Sequence, residues 1–418
     1  MKKFVHQILV FVIFGFLSCS KDPQPIPVPV INSMSPVAGI PKMVVTITGN
    51  NFSKNISENS VSFNGVPAII DSASSSKLVV VVPDGGTTGP VKITTKGGTA
   101  SGQVFRYYDV YIVWTETNSN NKNVIKVWRN GSVQSLTDET SYSDGIAFTV
   151  SGEDVYVCGD IFNGTKSLPA YWKNNTAYQL GTENGGGTSI DVVGNDVYIC
   201  GSEFNGTYFV AKYWKNGTGY VLDDGTYGGS QANAISVVNG DVYVGGGTTN
   251  SNQVYVATLW KNGIATTIGD GINNSGIGYM QVVGTDIYAV LESSTPNNSS
   301  NYVSLWKNGA QTNLSDGIYN TGATAMTVVG GDVLVTGYEF DGSGHEIPVI
   351  WENKRTINLT DGSIPVFTRG IALVGNDIIT SGFISVGNNT VVFCAINSTL
   401  IPLTNGDTKA IPVGVYAR

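Results

Sequence analysis

The sequence predicts an all-β protein in which a small β-sandwich precedes a seven-bladed β-propeller. One observation is a unit of about 45 residues that recurs along most of the chain. Another is that short apolar runs separated by Gly, Asn and Pro have the period of strands rather than helices. A third is that the two ends of the repeat region supply complementary parts of one unit.

The repeat is marked by an aspartate at the start of an Asp-Val-Tyr or similar run. This aspartate recurs at Asp109, Asp154, Asp196, Asp241, Asp286, Asp332 and Asp377. A tryptophan follows it at Trp128, Trp172, Trp214, Trp260, Trp306 and Trp351, and Ala395 holds that position in the last unit. A spacing of about 40 to 45 residues is typical of a four-stranded propeller blade.

Each unit predicts four strands, which we call A to D. Strand A is an aliphatic run such as residues 234–238, strand B begins at the aspartate, strand C ends at the tryptophan, and strand D carries a Leu or Ile. Short Gly-Asn and Lys-Asn-Gly turns that need positive φ join A to B and C to D. These tight turns therefore share one face of the disc, and the longer B–C and D–A loops share the other.

The ends of the repeat region predict a closed ring. The first unit begins directly at strand B, with Asp109-Val110-Tyr111, and lacks strand A. The chain ends with Ala410-Ile411-Pro412-Val413, which fits strand A and has no strand B after it. We expect the C-terminal strand to complete the first blade, which leaves few free strand edges.

The N-terminus predicts a lipoprotein signal peptide over residues 1–18. Lys2 and Lys3 precede an apolar run that ends just before Cys19. Phe16-Leu17-Ser18-Cys19 resembles a bacterial lipobox, which implies acylation of Cys19, and Ser20-Lys21-Asp22 resembles the signal that directs lipoproteins of the Bacteroidota to the cell surface. The expected location is the outer membrane, facing the exterior, with the lipid as the membrane anchor.

Composition bears on the kind of partner. The formal charge of −8 becomes −10 once Lys2 and Lys3 are removed, which disfavours nucleic acid as a partner. The mature chain keeps one histidine, His345, and has no zinc pattern, Walker loop or nucleophile elbow. The sequence therefore predicts a monomeric protein that is not an enzyme and needs no cofactor.

Residues 19–30 combine the acylated cysteine with a proline-rich, extended tether. Residues 31–108 predict a sandwich, with strands such as Val61-Ser62-Phe63 before Asn64-Gly65. These residues closely resemble the IPT/TIG family, an immunoglobulin-like module that is more often a spacer than a ligand-binding domain. Residues 109–418 resemble NHL and related propeller repeats, a likeness that implies the fold and no activity.

Function is expected where the repeats differ, on the face that carries the B–C and D–A loops. Polar residues mixed with exposed aromatic rings suit a carbohydrate, because its hydroxyls need hydrogen-bonding groups and its C–H faces stack on rings. The candidate ligand-binding residues are Trp114, Glu116, Tyr142, Phe162, Phe204, Tyr227, Tyr319, Phe367 and Arg369.

Trp114 is the strongest outlier, because five of the other six units have glycine at its position. It either binds ligand or covers the junction with the sandwich. The repeated tryptophans, in contrast, are predicted to pack within the blades, as residues needed by every repeat do. Cys158, Cys200 and Cys394 are predicted to be buried and unpaired.

A second repeated feature is an aspartate two residues after the Leu or Ile of strand D. It occurs at Asp138, Asp224, Asp270, Asp316 and Asp361, mostly followed by Gly. Turn formation explains this pattern, since Asp accepts backbone hydrogen bonds and Gly adopts positive φ. Binding of Ca²⁺ by some of these residues is the alternative.

Three functions remain open at this stage. The preferred one is a surface lipoprotein whose propeller loops bind a glycan. The second is a scaffold for protein interaction or adhesion on the cell surface, and the distant third is a polysaccharide lyase or hydrolase with residues converging near the propeller axis.

Overall fold

The computed structural model describes residues 24–138, 142–295, 300–353, 355–359, 365–397 and 399–418, and of residue 358 it describes the backbone alone. The predicted signal peptide and Cys19 lie outside these residues. The described chain forms 37 strands and one 3-10 turn, η1 (Ile56–Glu58), and contains no α-helix. The predicted all-β fold class is confirmed. Accordingly, the described residues include no helix with the length and apolarity needed to cross a membrane.

The chain divides into two compact units. One holds the residues up to 37 together with 44–81 and 89–104, and the other holds 38–43, 82–88 and 105–418. The domain limits at 30/31 and 108/109 remain predictions.

The N-terminal region is a sandwich of two sheets, ordered β1-β3-β7-β6 and β2-β9-β8-β4-β5. Alternating residues of these strands form its core, and Val45, Ile47, Leu78 and Ile93 are fully buried. The strands are β1 (Val30–Ser35), β2 (Ala38–Gly39), β3 (Val44–Asn50), β4 (Ser60–Phe63), β5 (Val66–Pro67), β6 (Ile69–Ala73), β7 (Lys77–Val81), β8 (Gly89–Thr95) and β9 (Gly98–Tyr107).

The remainder is a propeller of seven four-stranded sheets. The A strands are β13 (Tyr142–Ser151), β17 (Gly185–Val193), β21 (Ser230–Val238), β25 (Ser275–Val283), β29 (Thr321–Val329), β33 (Val366–Val374) and β37 (Ala410–Ala417). The B strands are β10 (Val110–Thr117), β14 (Asp154–Phe162), β18 (Asp196–Phe204), β22 (Asp241–Thr249), β26 (Asp286–Ser294), β30 (Asp332–Phe340) and β34 (Asp377–Val386).

Strands C and D form the outer half of each blade. The C strands are β11 (Asn123–Arg129), β15 (Ser167–Lys173), β19 (Phe209–Lys215), β23 (Tyr255–Lys261), β27 (Asn301–Lys307), β31 (Glu346–Glu352) and β35 (Asn389–Ile396). The D strands are β12 (Ser132–Ser135), β16 (Thr176–Gln179), β20 (Thr218–Val221), β24 (Ile264–Thr267), β28 (Ala310–Asn313), β32 (Arg355–Asn358) and β36 (Thr399–Pro402).

The C-terminal strand closes the ring as predicted. β37 pairs with β10 in antiparallel register from Val110 opposite Ala417 to Glu116 opposite Ala410. The Arg418 guanidinium then forms ion pairs with Asp109, at 2.8 Å, and with Glu153, at 3.1 Å. Backbone pairing and ion pairs thus join the two ends of the repeat region.

The structure explains why Asp and Asn recur in every blade. In the fourth blade the Asn262 side chain accepts a hydrogen bond from the Val242 N–H and donates one to the Asp241 carboxylate. The Lys261 ammonium lies 2.8 Å from the same carboxylate and 5.1 Å from the ring centre of Tyr243. The Asn-to-Asp bond occurs in all seven blades. These residues therefore fasten strand B to the C–D turn.

The repeated tryptophans pack in the propeller core. Five of the six are buried and Trp306 is half-buried. Trp260, for example, contacts the preceding blade, and its indole N–H donates to the Leu222 carbonyl. The three described cysteines are also buried and free, and burial raises the pKa of each thiol. The packing predictions for both residue types are confirmed.

Candidate functional site

Every A strand contains one β-bulge, and the bulged residues form a ring around the propeller axis. At each bulge, strand A has one more residue than the stretch of strand B that pairs with it. In six blades this extra residue lies eight positions before the blade aspartate. The seven bulged residues are Ile146, Thr188, Asn233, Gly278, Thr324, Arg369 and Val413. A bulge re-aims the local side chain, and here it gives each blade one variable position at the same place.

Glycines in strand B make room for these bulges. A Cβ built on Gly159 would lie 1.8 Å from the Asp144 carbonyl oxygen, and one on Gly246 would lie 2.0 Å from that of Gln231. The same glycine position in blades three, six and seven is equally close to the A strand. In these five blades the glycine lets the bulged A strand approach closely, whereas Trp114 and Leu291 hold that position opposite the bulges of the first and fifth blades.

The bulged residues line a central cavity of about 1160 Å³ between the seven A strands. Near the starts of the A strands its lining is polar and partly charged. The polar residues there are Thr115, Asn123, Tyr142, Asp144, Tyr279, Glu292, Arg369 and Lys409. Because the A strands begin on the face of the B–C and D–A loops, we call this end of the cavity the channel mouth.

Side chains of the ring connect neighbouring blades. The Thr188 hydroxyl donates to the Ala232 carbonyl at 2.5 Å, and the Asn233 amide donates to the Ile277 carbonyl at 2.9 Å. Gly278 breaks this pattern because it has no side chain, and nothing lies within 4 Å of the point where its Cβ would be. The bulged residue of the fifth blade therefore makes no side-chain link to the sixth blade, which leaves a gap at Gly278.

A second cavity of about 270 Å³ adjoins this gap. It shares Asn233, Gly278 and Glu292 with the central cavity. Hydrogen-bonding groups dominate the rest of its lining, which includes Gln231, Tyr255, Asn274, Ser275, Ser294 and Asn301. Gly278 thus joins two polar cavities at the channel mouth.

Arg369 is the charged member of the ring. Its exposed guanidinium lies 5.8 Å from the ring centre of Phe383, which stacks on Phe367 at 4.8 Å and 17°. No carboxylate in the described part of the chain lies within ion-pair distance of Arg369. The guanidinium therefore faces the cavity without an ionic partner from these residues.

Glu292 and Tyr279 line this side of the cavity, and Glu346 and Tyr338 are close enough to Arg369 for its charge to affect them. Burial raises the pKa of Glu292, whose Oε1 accepts a hydrogen bond from the Ala323 N–H at 2.9 Å. Burial also raises the pKa of Glu346, and the positive charge of Arg369 offsets part of that rise. Burial, followed by the Glu292 charge, raises the pKa of Tyr279 to about 12. Burial and the same charge also raise the pKa of Tyr338. Both phenols are therefore neutral at physiological pH.

The second blade presents another polar group. Asp144 and Asp160 face each other across β13 and β14, and the Asn123 amide donates to Asp144 at 2.6 Å. Burial and then the Asp144 charge raise the pKa of Asp160. Two residues further along, Tyr142 and Phe162 form an edge-to-face pair with ring centres 6.5 Å apart. Carboxylates and exposed rings are thus combined on one side of the blade.

The structure corrects the prediction that Trp114 is an accessible ligand-binding residue. Trp114 is 1% exposed, and its indole N–H donates to Glu116 at 3.0 Å. Glu116 is in turn held by Lys126 at 2.9 Å. Because Tyr111 and Val113 face the second blade, strand alternation places Trp114 on the opposite side of its sheet. Both side chains are used in internal packing.

The other candidates are distributed unevenly around the loop face. Tyr142 and Arg369 line the central cavity, and Phe162 and Phe367 lie beside them through ring contacts. Phe204 pairs with Phe209, whereas Tyr227 and Tyr319 stand separately on exposed loops. Tyr142, Phe367 and Arg369 precede the aliphatic run of strand A but lie within β13 and β33, because strand A starts earlier than that run indicates.

The aspartates after strand D form turns in the cases that the structure describes fully. Asp270 Oδ1 accepts from the Ile272 and Asn273 N–H groups, and Asp224 and Asp316 accept in the same way two residues on. Asp361 lies outside the described residues. Within the described ranges, no group of three or more His, Cys, Asp or Glu side chains is placed to hold a metal ion. Turn formation accounts for the three aspartates.

Sequence reasoning missed the bulge ring and most of the channel-mouth residues. A signal was present, because the bulge sits between two mostly small residues, as in Gly145-Ile146-Ala147 and Ala323-Thr324-Ala325. A variable residue at a fixed offset within a repeat could have identified the ring. The residues gathered around Arg369 come from three blades and gave no such signal.

Comparison with known proteins identifies the N-terminal domain. Residues 29–107 match the family model described as the IPT/TIG domain, which confirms that resemblance for about a fifth of the chain. No curated protein matches the chain. Solved structures are similar to part or most of this chain at low identity.

Three of these structures illustrate the likeness. An auxiliary nutrient binding protein from Bacteroides ovatus is 15% identical, with 80% of this chain and 86% of that chain covered and a TM-score of 0.37. The β-propeller domain of the Trilobed protease from Pyrococcus furiosus is 10% identical, with 80% and 99% covered and a TM-score of 0.41. A puromycin-hydrolyzing peptidase of Mycobacterium tuberculosis is 10% identical, with 71% and 52% covered and a TM-score of 0.49.

The peptidase contradicts the prediction that this protein is not an enzyme. That prediction rested on the absence of a catalytic pattern in the sequence, yet similar structures include a puromycin-hydrolyzing peptidase. The likeness assigns no activity to this chain, because identity is 10% and the match covers 52% of the peptidase.

Proposed function

We propose that this protein is a lipid-anchored cell-surface protein whose channel mouth binds a glycan. The observation that carries the proposal is the combination of cavity and lining at the channel mouth. A cavity of about 1160 Å³ is lined there by the exposed ring of Tyr142, the carboxyl groups of Asp144 and Glu292, and the guanidinium of Arg369. Such a lining offers the hydrogen-bonding groups and the ring face that a sugar needs.

The gap at Gly278 supports the same proposal. It opens the channel mouth toward a second cavity lined by amides and hydroxyls, whose donors and acceptors match sugar hydroxyl groups. Two adjoining polar cavities are suited to more than one sugar unit. An oligosaccharide or polysaccharide is therefore a better match than a single sugar.

Binding is tested with the whole chain after Cys19 on native gels cast with a panel of polysaccharides, followed by calorimetry on any that retards the protein. Tyr142→Ala is expected to weaken binding about fivefold, equivalent to ~1 kcal/mol of lost ring contact. Tyr178→Ala is the matched control, because Tyr178 is on the outer strand of the same blade and similarly exposed. Equal effects of both variants would contradict the proposed site.

The same incubations address catalysis. Chain length of each retained polysaccharide is followed by gel filtration over time. A polymer that becomes shorter would identify the protein as a lyase or hydrolase rather than a binding protein. A constant length with retained binding supports the proposal.

The lipid anchor is a separate part of the proposal and rests on Phe16-Leu17-Ser18-Cys19. In the native host, Cys19→Ala is expected to abolish metabolic labelling by palmitate and to move the protein out of the membrane fraction. Protease added to intact cells should degrade the wild-type protein if it faces the exterior. Labelling that persists in Cys19→Ala would contradict the assignment of Cys19.

A protein partner is the second candidate, favoured by two exposed isoleucines on the loop face. Ile272 and Ile318 follow Asp-Gly at the same position in neighbouring blades and are 78% and 69% exposed. Adjacent exposed aliphatic groups suit a protein interface. If a partner is cross-linked on intact cells and the double variant Ile272→Ser, Ile318→Ser loses it, this candidate is supported. Glycan binding that survives that variant separates the two functions.

A further inference from the structure

We infer that the channel mouth is built for an acidic glycan, with Arg369 pairing with the carboxylate of a uronic acid. This inference rests on the proposed function, since it specifies the glycan. Of the seven bulged residues, six are uncharged, and Arg369 alone carries a formal charge into the ring. The bulge of the seventh blade therefore places a positive charge at the cavity.

The surroundings of Arg369 leave its charge available. Its ring contact is with Phe383, and the carboxyl groups on this side of the channel are not within ion-pair distance. Glu292 already accepts a backbone hydrogen bond, and both Glu292 and Glu346 are shifted by burial toward the neutral form. The guanidinium can therefore bind an anionic group of a ligand.

The chemistry of the guanidinium favours a carboxylate. Its planar fork donates two parallel hydrogen bonds to a carboxylate, a geometry that an uncharged sugar hydroxyl cannot match. The stacked rings of Phe367 and Phe383 lie directly beside it and offer an apolar face to the sugar ring. A sugar that carries both a carboxylate and C–H faces, as a uronic acid does, satisfies both features together.

A second cation strengthens the inference. Lys409 immediately precedes β37 and lines the same cavity, with an exposed side chain. β33, which carries Arg369, and β37 belong to neighbouring blades, so both cations are on one side of the channel. Acidic polysaccharides carry regularly spaced carboxylates, and two cations on one side can engage a second carboxylate of the same chain.

The test compares acidic polymers with their neutral counterparts. The whole chain after Cys19 is titrated with polygalacturonate and alginate, and with the same two polymers after reduction of their carboxyl groups. We expect at least one acidic polymer to bind tighter than its reduced form by about tenfold or more, as for loss of a charge-assisted hydrogen bond. Arg369→Gln should remove this preference, and Arg369→Lys should keep part of it.

Arg355→Gln is the matched control, because Arg355 lies on the outer strand β32 and also loses one positive charge on substitution. It should leave the preference unchanged. Equal binding of acidic and reduced polymers, or an unchanged preference in Arg369→Gln, would overturn the inference while leaving glycan binding intact. Binding to neither series, nor to any neutral polysaccharide, would overturn the proposed function as well. Binding to sulfated polymers alone would show that the site recognises a sulfate rather than a carboxylate. That result would contradict the uronic acid assignment.

Discussion

The two faces of the propeller use the repeat in opposite ways. On the face of the tight turns, every blade repeats one arrangement, in which an Asn side chain binds the blade aspartate and the N–H that follows it. At the channel mouth, every blade has the same bulge, but the residue in it varies and only Thr occurs twice. The backbone is thus repeated on both faces, while side chains are repeated on only one.

This difference separates two kinds of constraint. A residue that each blade needs for its own folding must recur in each blade, as the Asn of the C–D turn does. At the bulge, in contrast, backbone pairing holds the local structure. The bulged residue itself is therefore free to vary. Variation at the bulge can therefore serve recognition without loss of stability.

Removal of a buried blade tryptophan should have the largest effect on stability. Trp260→Ala removes a fully buried side chain and its hydrogen bond to Leu222, so we expect a loss of about 3–5 kcal/mol in the free energy of unfolding. Urea denaturation measures it. Trp306→Ala is the matched comparison, because Trp306 is half-buried and should cost clearly less. Equal losses would contradict the view that burial determines the role of this residue.

The turn asparagine should have an intermediate effect. Asn262→Ala removes two hydrogen bonds and places Ala at a φ of 52°, so we expect a loss of about 1–3 kcal/mol in the free energy of unfolding. Glycine tolerates that φ, so Asn262→Gly removes the two side-chain hydrogen bonds without straining the backbone. A smaller loss in Asn262→Gly than in Asn262→Ala, again by urea denaturation, separates the backbone contribution from the hydrogen bonds. No loss in either variant would show that the repeated Asn is not structural.

The repeated lysine should have the smallest effect. Lys261 pairs with Asp241 at 2.8 Å, but both side chains are well exposed, so solvent screens the interaction. Lys261→Met keeps the aliphatic stem over Tyr243 and should shift the melting temperature far less than Asn262→Ala does. A larger shift would mean that the charge itself, rather than the Asn, fastens the turn.

The sequence predicted the architecture because each blade repeats its local signals. The blade aspartates and tryptophans mark the period, and Ala410-Ile411-Pro412-Val413 identifies the closing strand without knowledge of any contact. The packing of the tryptophans also follows from recurrence alone. Local pattern and tertiary structure agree in these elements, so the prediction succeeds.

The site was harder to predict because its residues are distant in sequence. Tyr279 and Glu292 come from neighbouring strands of the fifth blade, whereas Arg369 comes from the seventh, and the three line one cavity only because the ring closes. The prediction that Trp114 is accessible relied on its being unusual at its position in the repeat. Unusual identity does not imply exposure, and Trp114 is buried within the first blade. Strand lengths were underestimated as well, since A strands such as β13 and β21 begin with polar residues ahead of their aliphatic run.

The most direct test of a recognition site at the bulge ring is the glycan affinity of Gly278→Asn. Asn is the residue that the neighbouring blade has at this position, and nothing lies within 4 Å of the Gly278 Cβ, so the fold should be kept while the gap is filled. Gly152→Asn is the matched control, because it makes the same change on the tight-turn face at a φ of 62° that Asn tolerates.

We predict that Gly278→Asn weakens binding of the retained polysaccharide by about tenfold or more, equivalent to at least ~1.4 kcal/mol, with an unchanged melting temperature. Gly152→Asn should bind like the wild-type protein. Unchanged affinity in Gly278→Asn, measured by calorimetry on a folded variant, would contradict the account and place the binding site elsewhere on the molecule.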